Sequence, residues 1–352
     1  RSNEINGNTN ITTGIENVVT GHDNIADGRK NEVKGDLNVA TGRTNKIDGK
    51  GNLVSGIINK VTGEANIVDG IDNKVKGNYN IADGRTNEVT GDYNTVDGRT
   101  NKVTGKLNVA SGRSNEVNGS NNSVTGIINK VKGEANIVDG IENTIKGNDN
   151  IASGKNNIIK GNNSTSYGRN NEINSTDGTA VGNDNKVTGN SSAFGKGNIA
   201  KGNSSAAFGH DNITSGDNSL AMGKENQTTG ENSLALGKEN ITDGINSTAV
   251  GRDNETTGER SLALGEGNIA KGKYGVTVGR ENKVSGENSL AVGNQNKVTG
   301  KESAALGIGN TVKGSSSTVV GYKNTIIGNN SGAFGDPNVV TGNSSYAFGN
   351  DN

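Results

Sequence analysis

Apolar side chains in this chain arrive singly and on a fixed beat. The stretch "NEVTGDYNTVDGRTNKVTG", residues 87–105, shows the pattern: asparagine, three residues of which the middle one is apolar, then glycine. Glycine occupies every seventh position from Gly7 to Gly168, and asparagine every seventh from Asn3 to Asn157. The three residues between them alternate, which predicts a short strand with its middle residue on one face. Successive heptads differ in kind. One reads "NIADG" or "NIVDG", the other "NEVTG" or "NKVTG", so the structural period is fourteen. We call these first and second heptads. Two short strands and two tight turns make one coil of a parallel β-solenoid. A coiled coil is excluded, because a glycine in every heptad would cost a helix about 1 kcal/mol each.

The chain is therefore expected to be all-β, with 14-residue coils and two short strands per coil. About 25 such coils, stacked at about 4.8 Å, would form a rod of roughly 120 Å. The segment "GIINKV" at Gly56 and again at Gly126 points to duplication of a five-coil block. Asparagines at equal positions fall into columns, and their amides can bond from coil to coil. We assign Asn24 and Asn66 of the first heptads, and Asn87, Asn101, Asn212, Asn226 and Asn240 of the second, to structural columns rather than to ligand binding.

The positions after the asparagine are numbered one to three. Position two is small: Val61, Val75, Val89 and Val103 early in the chain, Ala221, Ala235, Ala249 and Ala263 or Thr214, Thr228, Thr242 and Thr256 later. A coil this narrow has room inside only for such residues, so position two is assigned to the interior. From Ser164 onward the first heptad changes, and serine replaces its asparagine in motifs such as "SLALG". Position three then becomes an apolar column: Phe194, Phe208, Met222, Leu236, Val250, Leu264, Val278, Val292, Leu306, Val320, Phe334 and Phe348. It holds every phenylalanine of the chain, and alternation turns it outward. A soluble monomer rarely exposes such a stripe, which marks it as a subunit interface. The alternative is that the stripe fills the coil and position two faces out.

Upstream the same column carries Asp27, Asp69, Asp83, Asp97 and Asp139, with arginine often two residues on, as at Arg29, Arg85 and Arg99. Stacked aspartates repel, so ion pairs of Asp27, Asp83 and Asp97 with these arginines, between coils or between chains, are expected to offset the repulsion. The motif change divides the chain into residues 1–161 and 162–352, read as one continuous solenoid. The register slips between Gly168 and Gly195, where "NSTDGTAVG" places Ser175 in a glycine's position.

Composition changes this picture little. Hydrophobic residues are 28% of the chain, low for a globular protein, but a disordered chain has no reason to keep a register. The net charge is -1 from 36 basic and 37 acidic residues, which gives no reason to expect nucleic acid. Cysteine is absent, which excludes disulfides and thiolate metal sites. No apolar run is long enough to serve as a signal or a membrane span, so direct membrane contact is not expected of this segment.

The later repeats resemble the head domain of YadA-like trimeric autotransporter adhesins. The residues that carry the resemblance are "NSLALGKENITDGINSTAVG" at 232–251 and "NSLAVGNQNKVTG" at 288–300. The resemblance implies a left-handed parallel β-roll and a homotrimer about a threefold axis. It also implies an extracellular place on the cell surface and attachment to host surface or matrix molecules. The family's neck, stalk and membrane barrel are absent here, so the chain is expected to be a piece of a longer protein anchored in the outer membrane by other segments.

Chemistry has little to work with. His22 and His210 both sit in turns after a glycine, and no cofactor, metal or catalytic set is expected. Calcium on the aspartate columns is less favoured than ion pairing. The Asn-x-Ser/Thr sequences at Asn212, Asn226, Asn240 and Asn254 arise readily in such a composition. Two functions remain: an adhesin head with an unidentified ligand, or a structural fibre that binds nothing specific. Ice binding is weaker, because the threonine columns are narrow and interrupted by lysine.

Overall fold

The structure is a computed structural model that describes residues 2–352. It comprises two compact units, Arg1–Asp177 and Gly178–Asn352. Each is a stack of two-stranded coils in which every strand pairs, parallel and in register, with its equivalent one coil on. In unit 1, Ile81–Arg85 pairs with Thr95–Arg99, and Glu88–Asp92 with Lys102–Lys106. In unit 2, Leu234–Lys238 pairs with Thr248–Arg252, and the shorter Ile241–Thr242 with Glu255–Thr256. Two parallel sheets face each other in each unit, one built from first heptads and one from second. No helix occurs among the described residues.

Position two points inward throughout. Ala82, Val89, Val96 and Val103 are buried in unit 1, as are Ala235, Thr242, Ala249 and Thr256 in unit 2. The interior is thus one layer of aliphatic or threonine side chains from each sheet, none larger than isoleucine. This settles the alternation and excludes the reading in which the apolar stripe fills the coil.

The glycine beat has a steric cause. At Gly84, with φ +106, a Cβ would lie 2.0 Å from the carbonyl oxygen of Gly98 on the next coil. At Gly230 the backbone is not left-handed, yet a Cβ would still lie 2.2 Å from the Gly244 carbonyl oxygen. Close approach between coils, more than positive φ, therefore demands glycine. The left-handed residue of each turn comes two residues later and is usually not glycine: Thr86 has φ 57 and Asn232 φ 53. Even the β-branched Ile58 (φ 63) and Ile128 (φ 60) are held there. The left-handed conformation costs such residues roughly 1–2 kcal/mol.

Each column asparagine closes a buried network. The Asn240 backbone N–H donates to Asn226 Oδ1 at 3.1 Å, and its Nδ2 donates to Asn226 Oδ1 at 2.9 Å and to the Gly251 carbonyl at 2.9 Å. Its own Oδ1 accepts from Asn254 N at 3.2 Å and Nδ2 at 2.9 Å. Asn101 in unit 1 repeats the pattern on Asn87 and Gly112. The serine column does the same work with a shorter arm. Ser303 Oγ donates to the Gly314 carbonyl at 2.8 Å and accepts from Ser317 N at 3.1 Å. Where Gly275 interrupts that column, its N–H turns to the Gly272 carbonyl instead, and Ser261 Oγ is left without a partner. Within unit 2 the register slip is a short coil: Thr179 pairs with Ser192, and the asparagine step from Asn185 to Asn198 is 13 residues.

Two stability outcomes follow from this geometry. Asn240→Ala removes a buried donor and acceptor at once, and each group left unsatisfied costs about 1–3 kcal/mol. Because neighbouring coils carry most of the coupling in a solenoid, the loss should be local. Hydrogen exchange should show lost protection at Asn254 and its neighbours, with distant coils unchanged. Ile58→Asn, at an exposed corner, should raise stability by about 1 kcal/mol in denaturant melts, because asparagine tolerates the left-handed region.

Candidate interaction faces

With the interior filled by position two, every candidate functional side chain lies on an outer face. Stacking then fixes its neighbours: each outward residue sits beside the residue at the same position of the next coil. Chemistry is therefore arranged in columns.

The first-heptad face of unit 2 carries the apolar column. Phe194, Phe208, Val250, Leu264, Val278, Val292 and Phe334 are half-buried by their own coils, while Met222, Leu236, Leu306, Val320 and Phe348 are exposed. Phe194 stacks on Phe208 and Phe334 on Phe348, each pair with ring centroids 4.9 Å apart, the coil spacing itself. Position one adds the half-buried Leu220, Leu234, Leu262 and Leu290 in a parallel column. The face is continuous, apolar and wet in a single chain.

In unit 1 the corresponding face is different. Position one keeps exposed aliphatics, among them Ile25, Leu53, Ile67 and Ile81. Position three carries the aspartates, and here one expectation needs correction. In-register stacking sets Asp83 beside Asp97 and Arg85 beside Arg99, like on like. The described ion pairs of unit 1 are Lys30–Glu16, Lys46–Glu32 and Lys106–Asp92, and none joins Asp27, Asp83 or Asp97 to an arginine of the chain. These aspartates are exposed. Alternation correctly puts aspartate and arginine on one side of the strand, but the coil-to-coil register separates them into different columns. Neighbouring hydroxyls help instead: Thr13 Oγ1 donates to Asp27 and Ser55 Oγ to Asp69.

At the corner after the first-heptad glycine, unit 2 sets a basic column beside an acidic one. Lys224–Glu225 (3.1 Å), Lys238–Glu239 (2.7 Å) and Arg280–Glu281 (3.3 Å) pair along the chain, and Arg252 pairs with Glu266 of the next coil. The Lys238 ammonium holds the Glu239 carboxyl down to about 2. Asp253, stacked against Glu239, is pushed up, chiefly by its hydrogen bond to that carboxylate.

The structure also brings together His210, Asp211 and Glu225, with ligand atoms within 4.8 Å of one another. The sequence reading placed His210 in a turn but did not join it to Glu225, the residue beside its neighbour on the next coil. Asp211 already takes His210 Nδ1 at 2.9 Å, and Lys224 takes Glu225. His22 Nδ1 accepts from the Asn8 N–H at 3.2 Å. The designated asparagines Asn24, Asn66, Asn87, Asn101, Asn212, Asn226 and Asn240 are all buried and bonded within their columns. On the second-heptad face of unit 2, Ile241 is exposed, with Ile213 and Ile269 partly so.

Two families match the chain. The family described as YadA head domain repeat (2 copies) matches residues 200–226, 215–240, 243–268, 270–296 and 299–324. The family described as grass antifreeze beta roll matches residues 1–77 and 62–154. No curated protein matches. The segment 200–324 is thus similar to the YadA head repeat, and residues 1–154 to the antifreeze beta roll.

A carbon-detected NMR titration checks the corner electrostatics. Glu239 should titrate near 2 and Asp253 above the ordinary aspartate range. A depressed carboxyl stabilises the fold above its unfolded pKa and loses that contribution as pH falls; the raised Asp253 opposes it. Both groups are on the surface, so the net effect on stability should be small. Lys238→Met should return Glu239 towards the usual range.

Proposed function

Taking the YadA-like head repeats of residues 200–324 as the premise, we propose that this chain is the head of a surface-exposed adhesin. In this reading three copies pack along the apolar column of unit 2, and the assembled rod attaches to host cells or extracellular matrix. The observation that carries the reading is that column. Met222, Leu236, Leu306 and Val320 are each more than a third exposed in one chain, in line with half-buried phenylalanines and valines. Water is a poor permanent neighbour for a face of that length, and a copy of the same face is the natural cover. The chain does no chemistry in this reading, and its place is outside the cell. The motif boundary at 161/162 separates a charged column from an apolar one, and we take it as a functional division.

Two readings compete. A structural fibre would use the same packing and bind nothing. Ice binding draws support from the grass antifreeze match over residues 1–154. Against it, the second-heptad threonine column breaks after short runs: Thr90 stacks on Thr104, but Lys76 and Asn118 flank them. Thermal hysteresis measured on the purified chain separates this reading from the others.

Sedimentation velocity tests the assembly. The wild-type chain should run as a trimer, and the pair Leu236→Asp with Leu264→Asp should run as a folded monomer. Both side chains lie outside the coil, so the substitution should spare each chain's circular dichroism while burying unpaired charge in the trimer, which is costly. A wild-type monomer, or a trimer indifferent to the pair, would contradict the assembly. Solid-phase binding of the trimer to immobilised matrix proteins then tests attachment; an intact trimer that binds none of them favours the fibre.

A further inference from the structure

In-register stacking turns repeated lysines into ladders on the second-heptad face of unit 1. Lys46 sits beside Lys60, and Lys60 beside Lys74, in the position-one column. Lys132 sits beside Lys146, and Lys146 beside Lys160, in the position-three column. The spacing is one coil, about 4.8 Å. Lys46 is paired with Glu32 at 2.8 Å. Among the described residues, no carboxylate lies within ion-pair distance of Lys60, Lys74, Lys76, Lys130, Lys132 or Lys146. At the first-heptad corners of unit 2, by contrast, Lys224 and Lys238 are each held by a glutamate.

The unpaired lysines line two shallow grooves. The first, about 400 Å³, has Lys60 and Lys74 along one side, with Glu88 next in their column, and Thr62, Lys76 and Thr90 along the other; between them runs the backbone of Val75 and Val89, whose side chains are buried in the coil. The second, about 150 Å³, has Lys130 between Glu116 and Thr144 on one side and Lys132 and Lys146 on the other, across the backbone of Val131 and Ile145, whose side chains are buried. They are copies. Lys60 and Lys76 in one correspond to Lys130 and Lys146 in the other, offset by the 70 residues (130 − 60 and 146 − 76) that separate the two "GIINKV" segments. Five coils place them about 24 Å apart on one face.

We propose that this face binds a linear anionic polysaccharide, a sulfated or uronate-bearing chain that lies along the solenoid axis and spans both grooves. The chemistry selects this class. A ladder of like charges a few ångströms apart is relieved best by a polymer whose anions repeat along the same line. The methylene stems of the lysines suit the carbon-bound hydrogens of a sugar ring, while their ammonium groups meet its charges. The two columns flanking each groove are two residues apart on one strand, about 7 Å, which admits a single extended chain and not a duplex. The lining holds no aromatic side chain on which a base could stack. The proposal rests on the adhesin reading only for where such a polymer would be met.

The test uses the full chain and heparin-derived oligosaccharides of graded length, measured by surface plasmon resonance. Affinity should rise until the oligosaccharide spans both grooves, and it should fall steeply with salt. The triples K60Q/K74Q/K76Q and K130Q/K132Q/K146Q should each weaken binding about tenfold, the size expected for three exposed ion pairs. The pair K224Q/K238Q should leave it unchanged. Circular dichroism and sedimentation of each variant confirm an intact fold. Binding that ignores length, salt or both triples overturns the proposal. So does equal binding, under the same conditions, to duplex DNA or to phosphatidylserine vesicles. Heparin binding by a chain that attaches to no cell or matrix would refute the adhesin reading and leave this one standing.

Discussion

One contact sets everything else in this protein: the glycine of one coil lies directly under the glycine carbonyl of the next. With a Cβ about 2 Å from that oxygen at nearly every corner, no other residue fits without moving the stack. The column asparagines lock the same spacing from inside the turn. Each amide accepts the N–H of the following coil and donates to the following glycine carbonyl, so its buried polar groups are satisfied by the repeat itself. Steric exclusion and hydrogen bonding agree on one register. A chain poor in large hydrophobic residues can then hold a fold whose interior is mostly alanine, valine and threonine, with isoleucine its largest side chain.

That register has a consequence for function. Because equivalent residues always stack, the outer surface is a set of columns, and whatever chemistry a column carries is multiplied along it. An apolar position becomes a stripe, a lysine becomes a ladder, and two phenylalanines become a parallel stack. The same rule stacks like charges on like where a heptad repeats exactly, as Asp83 on Asp97 and Arg85 on Arg99. Ion pairs form instead between sequence neighbours at corners, as at Lys238 and Glu239, or across one coil, as at Arg252 and Glu266. Broad, repetitive faces of this sort fit extended or symmetric partners better than small molecules.

Much of this was legible in the sequence because period and alternation are geometric. The fourteen-residue coil, the inward position two and the asparagine columns all read directly from spacing. No Asp97–Arg99 pair forms within the chain, because alternation specifies a side of the strand but not the neighbour across coils. The left-handed residue of the turn was missed because it is chemically varied, from Asn232 to Ile58. So were the lysine grooves, since their signal is not a motif but the coincidence of Lys60 with Lys74 and Lys76 one coil on. His210 and Glu225 met for the same reason.

Register is thus the claim on which the account stands, and the absence of cysteine makes it directly measurable. Gln227 and Ile241 are exposed partners on successive coils. Their α-carbons should be about 4.8 Å apart, within the range a disulfide tolerates. The double variant Gln227→Cys with Ile241→Cys should close an intrachain disulfide on mild oxidation. The pair Gln227→Cys with Leu234→Cys, one heptad apart and on opposite sheets, should not. Closure of the second pair in place of the first would show that the chain does not stack in this register.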